Sequence, residues 1–374
     1  MYVAVKGGER AIDASLALLE AWRRGSPDQP ELQPEQIQQQ LGLAVDRVMA
    51  EGSVLDARLA ALAIQQAQGD LVEAIFLLRA CRATLARFGQ TCPLETDQML
   101  ALRRISACFK DIPGGQRLGP TADYSLRILG LAGAAGAPGK AADPGSAPGE
   151  AAIPGHAADG PTSSPRISAL LQAEGLLAQP TEPQPTEPQP SKTPDITQDP
   201  VNFPMPRAAR LQMLARADEG YLLALGYSTQ RGYGSTHPFV GEIRMGYTPV
   251  CVRLSDIDPS IGDDTPIEIG ELLLTECEMI NQFQAQGEET PKFTRGYGLS
   301  PGRAERKAMA MALVDRALQA ESLGETPSAP SQDQEFVLAH GDNVEASGFV
   351  QHLKLPHYVD FQAELALVRG IQRP

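Results

Sequence analysis

Cysteine is scarce and unpatterned in this chain of 374 residues. A disulfide framework or a zinc finger would show cysteines at short, regular spacings, often as CxxC pairs. The chain has no such pair; its five cysteines are scattered at Cys81, Cys92, Cys108, Cys251 and Cys277. We therefore expect free thiols in a reducing compartment, and a cytoplasmic protein.

The sequence also lacks long apolar runs, basic runs and an apolar leader. No 18 consecutive residues are strongly apolar, so we expect no transmembrane helix. The N-terminus, MYVAVKGGERAIDAS, has no basic segment followed by an apolar one, so we expect no signal peptide. A net charge of -14 disfavours nucleic acid and anionic membranes as partners.

The spacing of apolar residues predicts an α+β protein in three parts. Residues 1–129 repeat apolar residues at helical spacing, which predicts a mainly helical N-terminal domain. Residues 130–200 are rich in Pro, Gly and Ala and contain TEPQP twice in tandem, which predicts a linker; ISALLQAEGLLA predicts one short helix within it. Residues 201–374 mix helical and strand patterns, which predicts a mixed α+β C-terminal domain.

Local signals predict individual elements. Asp70 with Glu73 predicts the start of a helix, since an aspartate there can accept a hydrogen bond from a first-turn amide. Another helix is expected around residues 99–110. VGEIRMGYTPVCVRL suggests strands joined by a turn. Ser300 and Pro301 are expected to cap and begin the helix RAERKAMAMALVDRALQA, and VDFQAELALVRGI to form the last helix.

The segment Arg-Gly-Tyr-Gly occurs twice, beginning at Arg231 and at Arg295. Arginine offers a planar fork of donors that suits phosphate or phosphonate oxygens. The glycines let a ligand approach the backbone, and the tyrosines, Tyr233 and Tyr297, could stack on a base or sugar. Two glycine-rich turns carrying surface arginines would give the same pattern, so both interpretations stay open.

The segment TECEMIN carries two glutamates, Glu276 and Glu278. A carboxylate could act as a general acid or base, or stabilise a cationic sugar in glycosidic cleavage. The two side chains would point to the same face of a strand but diverge on a helix. The apolar run around them, GELLLTECEMINQF, does not decide between the two, and a solvated face remains the alternative.

Two of the five histidines, His352 and His357, lie five residues apart in QHLKLPHYVDFQ. On one unbroken helix or one flat strand they could not chelate the same ion. Pro356 disfavours a helix that continues through Leu355, which places His352 at the end of one helix and His357 in the first turn of the next. A two-histidine metal site is then possible, although two ligands are too few for zinc, so the rest would have to come from elsewhere in the chain or from a partner. Two unrelated core or surface histidines remain the alternative.

Longer stretches are distinctive as whole segments; they include MYVAVKGGERAIDA, GDLVEAIFLLRA, RRISACFKDIPGGQ, DEGYLLALGYSTQRGYG, ELLLTECEMIN, ERKAMAMALVDRALQA and HLKLPHYVDFQAEL. In these stretches the chain resembles the PhnI family, subunits of the bacterial carbon–phosphorus lyase machinery. The resemblance covers both predicted domains. The spacer departs from it, and so does the segment SPGRA.

The resemblance implies an activity and an assembly. It implies displacement of the purine of ATP or GTP by an alkylphosphonate, a nucleosidase-like transfer that gives a ribose 1-alkylphosphonate 5-triphosphate. It implies assembly with PhnG, PhnH and PhnJ subunits in a core holding two copies of each, supported by PhnL. It also implies a metal site, with zinc as the expected ion, on His352 and His357 near the surface shared with PhnJ.

This reaction makes three physical demands. A triphosphate needs cationic or amide donors, usually with magnesium. An oxocarbenium-like sugar needs a nearby carboxylate, and a departing purine needs a proton. From chemistry alone we expect Glu276 and Glu278 to be catalytic and the two arginine–tyrosine pairs to bind substrate. The alternative is a structural subunit that carries a metal while its partners complete the chemistry.

Overall fold

A computed structural model describes residues 8–127, 129, 164–178, 194–200, 202–231, 237–257, 260–262, 265–282 and 290–372. The chain forms two compact units, each from discontinuous segments. The first unit comprises Met1–Leu85, Pro194–Tyr221 and Gln334–Pro374; the second comprises Ala86–Thr193 and Leu222–Asp333. The three-part division made at residues 129 and 200 stays a prediction.

The helices of the described ranges are α1 (Gly8–Arg24), α2 (Pro34–Gln40), α3 (Gly42–Gly52), α4 (Ala57–Gln66), α5 (Leu71–Ala83), α6 (Ile167–Ala173), α7 (Arg207–Arg216), α8 (Glu219–Gln230), α9 (Leu254–Ile257), α10 (Glu305–Ala317), α11 (Gln334–Ala339), α12 (Asn343–His352) and α13 (Tyr358–Ile371). The strands are β1 (Leu100–Ile105), β2 (Phe239–Arg253), β3 (Pro266–Gln282) and β4 (Phe293–Pro301). The predicted α+β class is confirmed. No helix in the described part of the chain is long and apolar enough to span a membrane.

The first unit is helical and has its core between α2, α3, α4 and α5. Its buried apolar side chains come from all four helices: Ile37, Val45, Val48, Ile64, Ile75 and Leu78. Burial of each such side chain contributes roughly 1.5–3 kcal/mol. The carboxylate of Asp70 accepts hydrogen bonds from the amides of Val72 and Glu73, so the predicted start of α5 is confirmed.

The second unit is built on an antiparallel sheet in the order β1-β2-β3-β4. One face of the sheet is apolar and packs against α10: Ile243, Cys277 and Met279 form a cluster with Ala308 and Ala312 of that helix. Side chains alternate between faces along a strand. The residues between these apolar ones therefore lie on the opposite face.

Two glycines of the Arg-Gly-Tyr-Gly segment in β4 let α10 approach the sheet. A Cβ built at Gly296 would lie 1.8 Å from the carbonyl oxygen of Ala312, and one built at Gly298 would lie 2.0 Å from that of Ala308. Any side chain here would collide with helix backbone. In β4 the glycines are thus explained by packing of α10 on the sheet.

The helix expected around residues 99–110 is wrong. This segment is β1, which pairs with β2 from Leu100 to Ile105. Backbone hydrogen bonds to β2 and burial against it stabilise this segment as a strand more than its local propensity stabilises a helix.

The turn expected within VGEIRMGYTPVCVRL is also wrong, because β2 runs through it without interruption. A Cβ at Gly246 would lie 2.2 Å from the carbonyl oxygen of Leu100. The glycine therefore marks a close approach of β1 to β2 rather than a turn.

Ser300 and Pro301 do not begin the long helix of the second unit. They end β4, paired with Thr275 and Leu274, and α10 begins at Glu305. A proline is tolerated here because β4 is an edge strand. The last helix, predicted from VDFQAELALVRGI, is confirmed as α13.

Candidate functional site

The sheet face opposite α10 carries charged side chains at matched positions of neighbouring strands. In the β2–β3 register Arg244 faces Glu276 and Glu242 faces Glu278, and in the β3–β4 register Glu278 faces Tyr297. The run around the glutamates is a strand, so both carboxylates lie on one face, as a strand requires.

Both oxygens of Glu276 are engaged. The Arg244 guanidinium donates to Oε1 from Nε at 2.5 Å, and the Tyr297 hydroxyl donates to Oε2 at 2.9 Å. Nη1 of Arg166 lies 3.5 Å from Oε2. The glutamate is only 2% exposed, so the fold has fixed its geometry before any ligand arrives.

Glu278 is engaged on one side only. Its Oε1 accepts from the hydroxyl of Ser168 at 2.8 Å and from Nη1 of Arg295 at 3.0 Å. Its Oε2 is buried and has no hydrogen-bond partner among the described residues. A buried carboxylate oxygen without a hydrogen-bond partner destabilises a protein core. The same oxygen is available as an acceptor or base in a site that binds a ligand.

The short helix α6 completes the cluster from the predicted spacer. Arg166, its N-cap residue, donates to Asp97 at 2.7 Å and to the Thr96 hydroxyl. Burial opposes the charge on Arg166, yet the carboxylates of Glu276, Asp97 and Glu278 together raise its pKa. The arginine therefore remains protonated.

Tyr297 is a hydroxyl donor that resists ionisation. Burial raises its pKa well above the usual range, and the neighbouring Glu276 carboxylate raises it further. At neutral pH the phenol therefore keeps its proton and serves as a hydrogen-bond donor, not as a base.

The charges of this face balance. Four guanidinium groups pair with four carboxylates within the described contacts: Arg104, Arg166, Arg244 and Arg295 with Asp97, Glu242, Glu276 and Glu278. We refer to these eight residues, with Ser168 and Tyr297, as the sheet-face cluster. It can orient a carboxylate, donate from a phenol and present a partly exposed arginine.

The predicted substrate-binding residues are only partly brought together. Arg295 and Tyr297 lie in the sheet-face cluster beside Glu278 and Glu276. Arg231 directly follows α8 and its side chain is exposed. Tyr233 lies outside the described residues, as do the TEPQP repeats.

Sequence reasoning missed several members of the sheet-face cluster. Arg104, Glu242 and Arg244 belong to segments read as a helix and as two strands with a turn, so their shared face was not visible. Arg166 and Ser168 lie at the start of the short apolar island in the spacer. That island was the one available signal, because a short helix in a linker must pack on something.

The two histidines meet in the first unit. His352 is the last residue of α12 and His357 is the residue before α13, with Pro356 between them. Their Nε2 atoms lie 3.0 Å apart. The predicted break between helices is confirmed, and it brings together two rings that a continuous helix would separate.

The hydrogen bond at His357 favours a metal-binding tautomer. Its Nδ1 lies 2.6 Å from the carbonyl oxygen of Leu355, an arrangement that needs Nδ1 to carry the proton and donate it. The Nε2 lone pair then faces Nε2 of His352, where it can accept a hydrogen bond from that ring or bind a metal, as at metal sites whose second ring nitrogen is held by a carbonyl. Two nitrogens on a tetrahedral zinc would lie roughly 3.3 Å apart, close to the observed separation.

The histidine pair has no further ligand in the described ranges, which contain no group of three or more His, Cys, Asp or Glu residues arranged to hold a metal. His352 is exposed and His357 is half-buried. Two nitrogens are half of the four ligands of a tetrahedral zinc ion. Any further ligands would have to come from outside the described His, Cys, Asp and Glu side chains.

The fold and these sites define a class: an α+β protein in two units, with a buried, charge-balanced sheet face and a separate surface pair of histidines. The chain belongs to the PhnI family, described as bacterial phosphonate metabolism protein (PhnI), which it matches over residues 1–374.

Three relatives match over nearly their whole lengths. The chain is 56% identical over 373 residues to the alpha-D-ribose 1-methylphosphonate 5-triphosphate synthase subunit PhnI of Escherichia coli (strain K12), covering 100% of this chain and 99% of that protein. It is 52% identical to the protein of the same name from Rhizobium meliloti (strain 1021), covering 100% and 95%. A protein named as a candidate C-P lyase subunit, HtxH of Stutzerimonas stutzeri, is 45% identical, covering 99% and 96%.

Proposed function

We infer that this chain is a subunit of a carbon–phosphorus lyase system and acts in phosphonate catabolism, within a synthase of alpha-D-ribose 1-methylphosphonate 5-triphosphate. The observation that carries this conclusion is the 56% identity over the full chain to a protein with that activity in its name. The same name appears for the relative at 52% identity.

We propose that the reaction displaces the purine of ATP, or of GTP, by an alkylphosphonate. A phosphonate oxygen forms the new bond to the anomeric carbon of the ribose as the bond to the purine nitrogen breaks. The departing purine takes up a proton from the solvent. An oxocarbenium-like sugar lies between the two states, and a nearby carboxylate stabilises it.

Within this proposal Glu278 is the better placed of the two carboxylates. Both oxygens of Glu276 are already engaged, whereas Oε2 of Glu278 has no partner among the described residues. Ser168 and Arg295 hold Oε1 and fix the orientation of the group. Glu276 then acts by positioning Tyr297.

Arg295 is the anion-binding candidate that the geometry favours. Its contact with Glu278 uses Nη1, and its side chain is 35% exposed, so the rest of the guanidinium can meet a substrate oxygen. Tyr297 lies beside it as a hydroxyl donor. Arg231 and Tyr233 remain candidates from the sequence, and magnesium is expected to accompany ATP.

We further propose that His352 and His357 provide two ligands of a zinc ion and that a neighbouring subunit, substrate or water supplies the rest. The expected partners are subunits of the PhnG, PhnH, PhnJ and PhnL types, with two copies of the chain in a core complex. Zinc would supply Lewis acidity or a structural link there. The chain itself supplies imidazole nitrogens, oriented by the Leu355 carbonyl.

A structural role is the second candidate, and the charge balance of the sheet-face cluster favours it. Buried ion pairs that satisfy each other can serve to fix a fold rather than to do chemistry. Glu278→Gln in the assembled complex separates the two candidates, with Glu271→Gln, at an exposed glutamate of β3, as the matched control. A catalytic Glu278 predicts purine release slowed by about 100-fold or more with assembly intact. Unchanged release would favour the structural role.

The zinc proposal predicts a change in metal content. His352→Ala should lower the zinc that copurifies with the chain and its partners, because the site would lose one of its few protein ligands. His340→Ala changes an exposed histidine whose Nδ1 lies 2.7 Å from the carbonyl oxygen of Phe336, and it serves as the control. Zinc content that is equal in His352→Ala and wild-type protein would remove His352 as a ligand.

A further inference from the structure

Two arginines of the first unit share a single carboxylate, and the charge of a third acts on one of them. Arg79 and Arg82 lie on α5, Arg216 ends α7, and Asp342 precedes α12. Nη1 of Arg79 lies 2.6 Å from Oδ2 of Asp342, and Nε of Arg216 lies 3.5 Å from the same oxygen. The two guanidinium groups therefore share one acceptor atom.

Asp342 has little capacity left for these cations. Its Oδ1 accepts from the amides of Val344 and Glu345, which begin α12, and from Nη1 of Arg79. The carboxylate is thus both a helix cap and the acceptor of Arg79. One negative charge held in this way does not neutralise two guanidinium groups and a helix N-terminus.

Among the described residues, Arg216 has an ion-pair contact with Asp342 but no hydrogen-bond partner. Its Nε is buried and has no hydrogen bond, and its terminal amino groups have none to any described residue. Its side chain is 21% exposed. Burial lowers the pKa of Arg216, and the positive charges of Arg79 and Arg82 lower it further, against the opposing effect of Asp342.

Arg82 adds a second guanidinium group without a hydrogen-bond partner among the described residues. It lies three residues after Arg79 on α5, so the two side chains are neighbours on one helix face. It is half-buried, and no ion pair or hydrogen bond joins its side chain to another described residue. Besides Asp342, the exposed carboxylate of Glu345 also acts on Arg216. The positive charges of Arg79, Arg82 and Arg216 thus exceed the two negative charges of Asp342 and Glu345.

We propose that Arg82 and Arg216, supported by Arg79, form a binding site for a tetrahedral oxyanion of the phosphate or phosphonate class. Guanidinium forks bind such oxygens in pairs, and a half-buried position makes each charge-assisted hydrogen bond stronger than it would be in water. The N-terminus of α12 adds favourable potential. An anion would supply the acceptors and the negative charge that this site lacks.

The inference deepens the proposed function and rests on it for the natural ligand, since both ATP and an alkylphosphonate carry such a group. The anion site lies within the first unit, whereas the sheet-face cluster belongs to the second. Anion binding at the first site and purine release at the second can therefore be lost independently of each other. Loss of purine release with anion binding retained would remove the proposed function and leave this site standing.

The test measures anion binding by the full-length chain in three forms. Titration calorimetry with inorganic phosphate, methylphosphonate and tripolyphosphate is run on wild type, Arg216→Gln and the control Arg58→Gln. Arg58 is an exposed arginine of α4 in the same unit, so the control makes the same change of charge. We expect wild type and Arg58→Gln to bind equally and Arg216→Gln to bind about 10-fold more weakly or worse.

Thermal unfolding guards against a folding artefact. Phosphate should raise the melting temperature of wild type and Arg58→Gln more than chloride of equal ionic strength does, and this difference should vanish in Arg216→Gln. A wild type that binds none of the three anions would overturn the proposal. So would equal binding by Arg216→Gln, equal effects of phosphate and chloride, or an Arg216→Gln defect confined to association with a partner subunit.

Discussion

At the scale of single residues, the neighbouring side chains of the sheet-face cluster give two similar glutamates different hydrogen bonding. Glu276 and Glu278 are two residues apart on one strand and almost equally buried. One has both oxygens engaged, and the other keeps one oxygen without a partner among the described residues. Sequence alone could propose both carboxylates, but the difference between them depends on residues far away along the chain.

The same scale yields a prediction about alkaline pH. The folded-state pKa of Tyr297 is raised above its ordinary value of about 10, so the folded protein keeps this proton at a pH where the unfolded chain releases it. The stabilisation is fully present below about pH 10 and is lost as pH rises towards the folded pKa. The loss is at most roughly 1.4 kcal/mol per pH unit.

Tyr297→Phe should therefore show a shallower fall of unfolding free energy between about pH 10 and 11.5 than wild type does. Denaturant titrations at several pH values measure it. Tyr124→Phe, at a tyrosine 80% exposed in the same unit, is the control and should follow wild type. Parallel pH profiles for wild type and Tyr297→Phe would contradict the assignment.

At the scale of elements, the fit of α10 against β4 depends on glycine. A methyl group at Gly298 would lie 2.0 Å from the carbonyl oxygen of Ala308, a backbone atom that cannot move without displacing the helix. We predict that Gly298→Ala lowers the free energy of unfolding by about 3 kcal/mol or more.

Gly348→Ala is the matched control, a glycine-to-alanine change where the new methyl group meets no neighbouring atom. Gly348 lies within α12, and a Cβ there would meet nothing within 4 Å. Alanine should stabilise this helix by about 0.5–1 kcal/mol. Denaturant unfolding of both variants measures the contrast. A Gly298→Ala protein as stable as wild type would mean that α10 does not pack as closely as described.

Elements also show what the sequence could and could not predict. Helices α5 and α13 were predicted correctly because their signals are local, as with the Asp70 cap of α5. Strand β1 was mistaken for a helix because its stability comes from pairing with β2. The glycines of β4 were open to a ligand-binding interpretation because nothing local to them reveals that α10 lies against them.

At the scale of the whole molecule, the chain has features of a subunit. Helices α1 and α13 expose large apolar side chains, among them Trp22 at 71% and Val359 at 83%. Contiguous apolar surface on such helices is typical of an interaction site. If His352 and His357 bind zinc as proposed, they supply two of the three or four protein ligands that a zinc site needs. Both observations support a function that is completed by assembly.

We propose that this chain takes part in releasing the purine of a nucleoside triphosphate. The most direct measurement is adenine released from ATP in the presence of methylphosphonate, by the partner subunits alone, by the chain alone and by the assembled complex. We expect adenine release by the assembled complex and none by the partner subunits without the chain. Equal release by the partners alone, or no release by any of the three, would contradict it.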